Sequence, residues 1–299
     1  MTTTLDKRPP GAHARPTPPS KGRGFNLLRY NLLGGVAGWL WLVVVLLPIY
    51  WIVITSFKVQ ADYYATNPLA PPTNPTLDNY RFVLENDFVR YFINSVIVTV
   101  GAVGPAVLVS FMAAYAIVRG SAASRFLRGV NGLFLMGLAI PLQAVIIPIY
   151  LIIIKIQMYD TLGAIILPSL AFAIPLSVLV LSNFVRDVPK ELFESMRMDG
   201  ATEWGTLWRL AFPLTRPALV TVTIYQGLTV WNGFILPLIL TQSPEQRTLP
   251  LALWSFQGQY TINIPAVLAS VVLTTLPILT LYILGRRQLL SGLTAGFSK

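Results

Sequence analysis

The densest group of reactive side chains in the second half of the chain is Glu191, Glu194, Ser195, Met196, Arg197 and Asp199, with Gly200 and Ala201 directly behind them. It has no nucleophile motif, metal-ligand cluster or pair of carboxylates in a plausible catalytic setting, so the chemistry open to it is non-covalent contact with another surface. A second group is neutral: Asn131, Gln143, Asn183, Gln226, Trp231 and Asn232 all fall inside long apolar runs. Amides beside an aromatic can hydrogen-bond a neutral, hydroxyl-rich solute without a counter-charge. Gln143, Gln226, Trp231 and Asn232 are therefore the candidates for lining a solute path. For any one of them singly, the commoner use is a hydrogen bond between helices.

What is missing narrows the classes further. All 22 basic and 12 acidic side chains fall outside six uncharged runs, whereas ion-coupled carriers keep ionisable groups at membrane depth to relay protons or hold ions. There is no GxxxxGK[ST] phosphate loop, so ATP is not bound by that route, and uphill transport would draw its energy from another subunit. The absence of cysteine removes disulfide and thiol chemistry. The single His13 sits in a tail where no metal site is expected, and no cofactor is called for.

Hydropathy sets the elements that must position these groups. The 299 residues are 54% hydrophobic and 11% charged, a composition suited to lipid rather than water. Runs over 30–57, 91–118, 129–154, 161–185, 217–244 and 248–285 each hold the roughly 20 apolar residues that cross a bilayer. The reading is an all-α membrane protein with six transmembrane helices, near 35–56, 92–117, 129–154, 161–185, 217–240 and 265–285. Together they form one domain over 30–299, behind a Pro-rich, basic tail over 1–29 that is expected to be disordered in the cytoplasm. The net charge of +10 then reports orientation, not nucleic-acid binding. With the N-terminus inside, 17 of the 22 Lys and Arg residues fall on the inner side, which puts both termini in the cytoplasm.

Pro141 and Pro148 in the third span, and Pro168 and Pro175 in the fourth, predict kinked helices held inside the bundle. The first outer loop, from Thr55 to Tyr80, is expected to be extended and stiff through Pro71, Pro72 and Pro75. It serves as a connector or as part of a docking surface for an extracytoplasmic protein.

The charged interlude between the fourth and fifth spans reads as two short helices around a glycine. Glu191 to Met198 forms the first, Gly200 stops it, Thr202 caps the second, and Pro213 and Pro217 close the segment. So small a hairpin cannot bury Phe193, Met196, Trp204 and Trp208 by itself. They are expected to meet the membrane surface or a partner protein.

Glu194, Ser195 and Met196, then three residues to Gly200, nine more to Leu210, and finally Phe212 and Pro213 resemble the EAA loop of permease subunits of ATP-binding-cassette importers. Ser195 and Met196 stand where the pattern has alanines, and Leu210 and Phe212 where it has Ile and Leu. The resemblance spans nearly all of residues 30–299. TSFK and DNY in the outer loop, AAYAIVR closing the second span, IPLQAVIIPIY in the third, YDTLGAIIL entering the fourth, WNGFILPL in the fifth and the terminal GLTAGFSK are similar to the maltose-type branch of carbohydrate importers. Gly233 departs from that branch, which often has an acidic residue there.

The resemblance implies an inner-membrane permease subunit of a bacterial plasma-membrane importer. Its partners would be two ATPase subunits, a second permease subunit of a different chain, and an extracytoplasmic solute-binding protein, with a sugar as cargo. The cytoplasmic loop over 188–213 would be the coupling helix. Glu194 and Gly200 would form the docking turn, with Glu191, Arg197 and Asp199 as flanking polar contacts and Ser195, Met196 and Ala201 among the coupling residues, and Thr294 to Lys299 would reach toward the ATPase interface. The rival readings are an importer permease for another solute, an energy-independent channel or secondary carrier, and a non-transport scaffold or membrane enzyme.

Overall fold

The computed structural model describes residues 32–120, 124–253 and 263–295, and the backbone alone at 32, 33, 281 and 284–295. The predicted tail over 1–29 and the last residues of the ending, 296–299, lie outside this range. Among the described residues every regular element is a helix. The chain divides into two compact units between Leu47 and Pro48, within α1 (Leu32–Ser56). Trp39 and Trp41, in the first unit, are 71% and 70% exposed. An 18-residue window within Gly34–Ser56 has a mean hydropathy of 2.3, so this exposed surface suits lipid.

The second unit opens with a polar knot. Lys58 is 1% exposed, and its Nζ donates to the carbonyls of Asn67 and Pro68 at 3.0 and 3.5 Å. The Asn79 amide donates to the carbonyls of Ser56 and Lys58 at 2.9 and 2.8 Å, and the Ser56 and Tyr80 hydroxyls are 2.7 Å apart. A buried ammonium must find acceptors to offset its lost hydration. Here the folded-back loop supplies them through its backbone, between the short helices α2 (Gln60–Ala65) and α3 (Asp78–Val83). The loop expected to be extended is thus folded back on itself, with the Thr76 N–H donating to the Phe57 carbonyl at 2.9 Å.

A π-turn over Leu84–Phe88 leads into α4 (Val89–Arg119). Then follow α5 (Arg125–Leu138), α6 (Leu142–Lys155) and α7 (Leu162–Asp187). The expected third span is broken rather than kinked: α5 and α6 meet at 105°. Pro141 is the N-cap of α6, and a proline disfavours helical backbone in the residue before it. Nor is this pair interior within the chain, since α5 buries no residue and α6 only Ile153. By contrast α7 keeps Pro168 and Pro175 inside one unbroken helix and buries Leu181 and Val185 against Phe111 of α4.

The remaining helices are α8 (Lys190–Met198), α9 (Glu203–Thr206), α10 (Phe212–Trp231), α11 (Ile235–Leu240), α12 (Leu249–Ala252) and α13 (Ile264–Ala295). A π-turn over Leu207–Ala211 joins α9 to α10, with the Phe212 N–H reaching five residues back to the Leu207 carbonyl. Pro213 and Pro217 therefore do not close the hairpin as expected. The wide turn makes room for the Pro213 ring and its missing donor, and the helix runs on. The predicted fifth span instead breaks at Asn232–Phe234, ahead of α11. Among the described residues, three helical stretches qualify by length and apolarity to cross a membrane, Gly34–Ser56, Asp78–Arg119 and Leu162–Asp187, and a fourth if the bent pair is one span.

At one end of α7 the loops are tied by a single carboxylate. Asp160 accepts the backbone N–H groups of Gln242 and Ser243 at 2.8 and 2.9 Å and the Ser243 hydroxyl. Its own N–H donates to the Leu240 carbonyl at 3.0 Å. The Ser243 hydroxyl first, then the two backbone donors, hold the carboxyl below its usual range against a smaller desolvation effect. A carboxyl with a depressed folded pKa stabilises fully above its unfolded value and loses that contribution as the pH falls through the folded one. Asp160→Asn should therefore lower the Tm in detergent at pH 7, corresponding to about 1–3 kcal/mol. The gap to the parent protein should shrink as the pH is taken below about 4, and an unchanged gap across that window would refute this assignment.

Candidate functional site

The hairpin between α7 and α10 is built by local rules. Past Asp199, the Ala201 N–H donates to the Met196 carbonyl at 2.9 Å and the Gly200 N–H to the Arg197 carbonyl at 3.0 Å. That is the Schellman pattern, which requires a left-handed residue after the cap. Gly200 supplies it with φ +76°. The Thr202 hydroxyl accepts the Gly205 N–H at 3.1 Å and caps α9, as its position in the sequence predicts. The turn presents Glu191, Glu194, Ser195, Arg197, Asp199 and Gly200 as exposed residues, with Met196 and Ala201 half-buried.

The aromatic face is divided. Phe193 is 1% exposed: it lies 6.3 Å from the Tyr115 ring and under the Arg119 guanidinium, 4.1 Å from the ring centre. Trp208 packs 6.2 Å from Phe111. Phe193, expected to meet lipid or a partner, is instead covered by α4 of the same chain, and Trp208 is half-buried against it. Trp204 remains 59% exposed, and Met198 is 87% exposed. Sequence reasoning missed that α4 is the cover, although Tyr115 and Arg119 lie together in AAYAIVR, four residues apart on one helix face.

Glu203 ties this assembly together. Its Oε2 accepts the Tyr115 hydroxyl at 2.7 Å and its Oε1 accepts Arg197 Nη2 at 2.8 Å. The Tyr115 hydroxyl first, then Arg197, hold its carboxyl below the ordinary range. Because the Arg197–Glu203 pair is more than half exposed, its charge attraction contributes little to stability. Its value is geometric: one carboxylate joins the end of α8, the start of α9 and the last turn of α4.

The neutral candidates separate. Gln226 is buried, and its Nε2 donates to the Ala173 carbonyl at 3.1 Å and to Ser177 Oγ at 3.3 Å, which stitches α10 to α7. Gln226 and Trp231 line a cavity of about 240 Å³, together with Ser95, Ser169 and Thr248. Trp231 Nε1 and Thr248 Oγ1 are buried without a hydrogen-bond partner among the described residues. Gln143 is exposed and does not line this cavity. Asn232 is also exposed and donates back to the Leu228 carbonyl at 2.8 Å, closing its own helix. At Gly233, any Cβ would sit 2.9 Å from the Val230 carbonyl oxygen, so this tight turn admits no side chain without a backbone shift.

Comparison with known proteins agrees with this geometry. Residues 106–289 match the family model described as the binding-protein-dependent transport system inner membrane component. The chain is 35% identical over 253 residues to the diacetylchitobiose uptake system permease protein DasC of Streptomyces coelicolor, covering 84% of this chain and 91% of that one. It is 32% identical to the arabinooligosaccharides transport system permease protein AraQ of Halalkalibacterium halodurans, covering 83% and 89%. The fold is similar to a chain in the crystal structure of a bacterial ABC transporter involved in the import of the acidic polysaccharide alginate. There the TM-score is 0.76 and the identity 20%, with coverage of 91% of this chain and 99% of that one.

Since no atom lies within 4 Å of a Cβ built on Gly200, substitution there should act through backbone strain alone, about 1–2 kcal/mol for an ordinary L residue. Amide-exchange protection of residues 196–203 should fall in the order Gly, Asn, Ala, Val, because Asn tolerates the left-handed region and Val does not. Equal protection across the series would show that the turn is not held by this residue.

Proposed function

Because the chain belongs to the family of binding-protein-dependent transport system inner membrane components, we propose that it is the permease subunit of an ATP-binding-cassette importer whose cargo is a sugar or oligosaccharide. The observation that carries this reading is the Schellman turn at Gly200, which holds Glu194 to Ala201 out from the bundle as a preformed surface for an ATPase subunit. Rigid presentation matters because a dock that must first order itself loses part of its binding energy. The uptake systems of the two relatives support carbohydrate as the solute class.

In this reading the chain binds no ATP and catalyses no reaction. Two ATPase subunits sit on the cytoplasmic side, a second and different permease chain completes the pore, and a solute-binding protein delivers cargo from outside. Six spans cross the bacterial plasma membrane with both termini in the cytoplasm, in keeping with the bias of 17 of the 22 basic residues to that side. Contacts within the chain fit the same sidedness. Asp160 and Asn94 bind residues 242–247 at one end of the helices, and Tyr115 and Arg119 bind the hairpin at the other. Of the four path candidates, Gln226 and Trp231 share a cavity and are retained as its lining.

A mild-detergent pull-down through this chain tests the docking role. Wild type should co-purify an ATPase, and a Glu194→Arg, Gly200→Val variant should recover at least tenfold less while still inserting in the membrane. An intact, folded wild-type chain that recovers no ATPase would return the reading to a self-sufficient channel or carrier.

A further inference from the structure

The hairpin follows α7 and precedes α10 in sequence, yet its specific polar and cation–π contacts cross to α4. Tyr115 donates to Glu203 at 2.7 Å, and Arg119 covers Phe193 at 4.1 Å. The other end of α4 carries a second joint. The Asn94 amide donates to the carbonyls of Glu245 and Arg247 at 2.8 and 2.9 Å, and Ser95 Oγ accepts the Leu249 N–H at 2.8 Å. Asn94 and Ser95 are 7% and 2% exposed, and Tyr115 is 7% exposed. From Ser95 to Tyr115 an α-helix rises about 30 Å, the thickness of a bilayer's hydrocarbon. One helix thus grips a loop near each of its ends by directional bonds.

Resting on the importer reading, we propose that α4 is the strut that transmits displacement of the hairpin to residues 244–249, with Tyr115 and Glu203 as positioning residues at the near joint and Asn94 and Ser95 at the far one. The packing of α4 against α7 is mainly apolar and guides the strut: its hydrogen bond, from Ser110 Oγ to the Ile174 carbonyl, is long at 3.4 Å, and the shorter bonds at the two ends of α4 make the link. Glu203 is suited to the near joint since it also accepts Arg197 at 2.8 Å. Both halves of the hairpin therefore pull on the same phenol. Spatial continuity alone does not demonstrate coupling, so the test must read the far end while acting on the near one.

The chain has no cysteine, so Glu245→Cys places a single thiol on this subunit at an exposed position of the far loop. The complete importer, purified through this chain and held in lipid nanodiscs, is labelled with a maleimide with and without ATP and vanadate. In the parent assembly ATP should change the labelling rate at 245. Tyr115→Phe should reduce that change at least fivefold, and solute uptake with it, while ATPase recovery and ATP hydrolysis stay within twofold. Glu203→Gln, which still accepts the phenol, should keep most of the response, whereas Glu203→Ala should lose it. Ser95→Ala should reproduce the Tyr115→Phe defect from the far side, and the double variant should be no worse than either single one, as for links in series. A Tyr115→Phe importer with an intact response at 245 overturns the strut. So does one that loses its ATPase, since the joint would then only support the dock. If the parent chain recovers no ATPase at all, the importer reading falls and takes the strut with it.

Discussion

Hydrocarbon offers a polar group no water to bond with, and the rest of the structure follows from that constraint. Every Asp, Glu, Lys and Arg side chain falls outside the apolar runs, so directional interactions between charged groups and distant parts of the chain can form only there. The chain uses its few charges accordingly. Lys58 is wrapped by backbone carbonyls, Asp160 by backbone N–H groups, and Glu203 by a phenol and a guanidinium. Between the ends, cohesion is apolar, with neutral hydrogen bonds such as Gln226 to Ala173 added where two helices touch. The middle is therefore held by shape and the ends by bonds.

Membrane character, the existence of most helices and the hairpin at Gly200 were legible because each rests on a local rule. Long apolar runs make helices, a left-handed glycine ends one, and a threonine hydroxyl starts another. Proline behaviour was not legible, because its outcome depends on what lies nearby. Pro168 and Pro175 are absorbed within α7, Pro141 breaks the third span by 105°, and Pro213 sits just past a π-turn that lets the helix continue. The residue type fixes only that a donor is missing, and the surroundings decide whether the chain bends, breaks or widens.

The candidate site was half legible for the same reason. The spacing of Glu194 and Gly200 identified the turn, but nothing local says that Phe193 would meet Arg119 or that Glu203 would meet Tyr115, 88 positions away. Of the neutral amides chosen for a solute path, Gln226 proved to be interhelical glue that also borders a cavity, and Asn232 a helix-closing residue. Their place in apolar runs and their chemistry singled them out together. Only the fold separates a group that faces open volume from one already spoken for.

The π-turn over Leu207–Ala211 gives the hairpin and α10 two different angular references. A wide turn holds one residue more than the α-helical repeat, and each residue of an α-helix advances the azimuth by about 100°. The hairpin face that carries Trp204 and the α10 face that carries Gln226 and Trp231 are thus set out of phase by an insertion, although one helical rod bears both. The chain has in effect a vernier between the hairpin and α10. The surface of the hairpin and the surface shown to the cavity can each be tuned in sequence, and the offset between them is fixed by five residues.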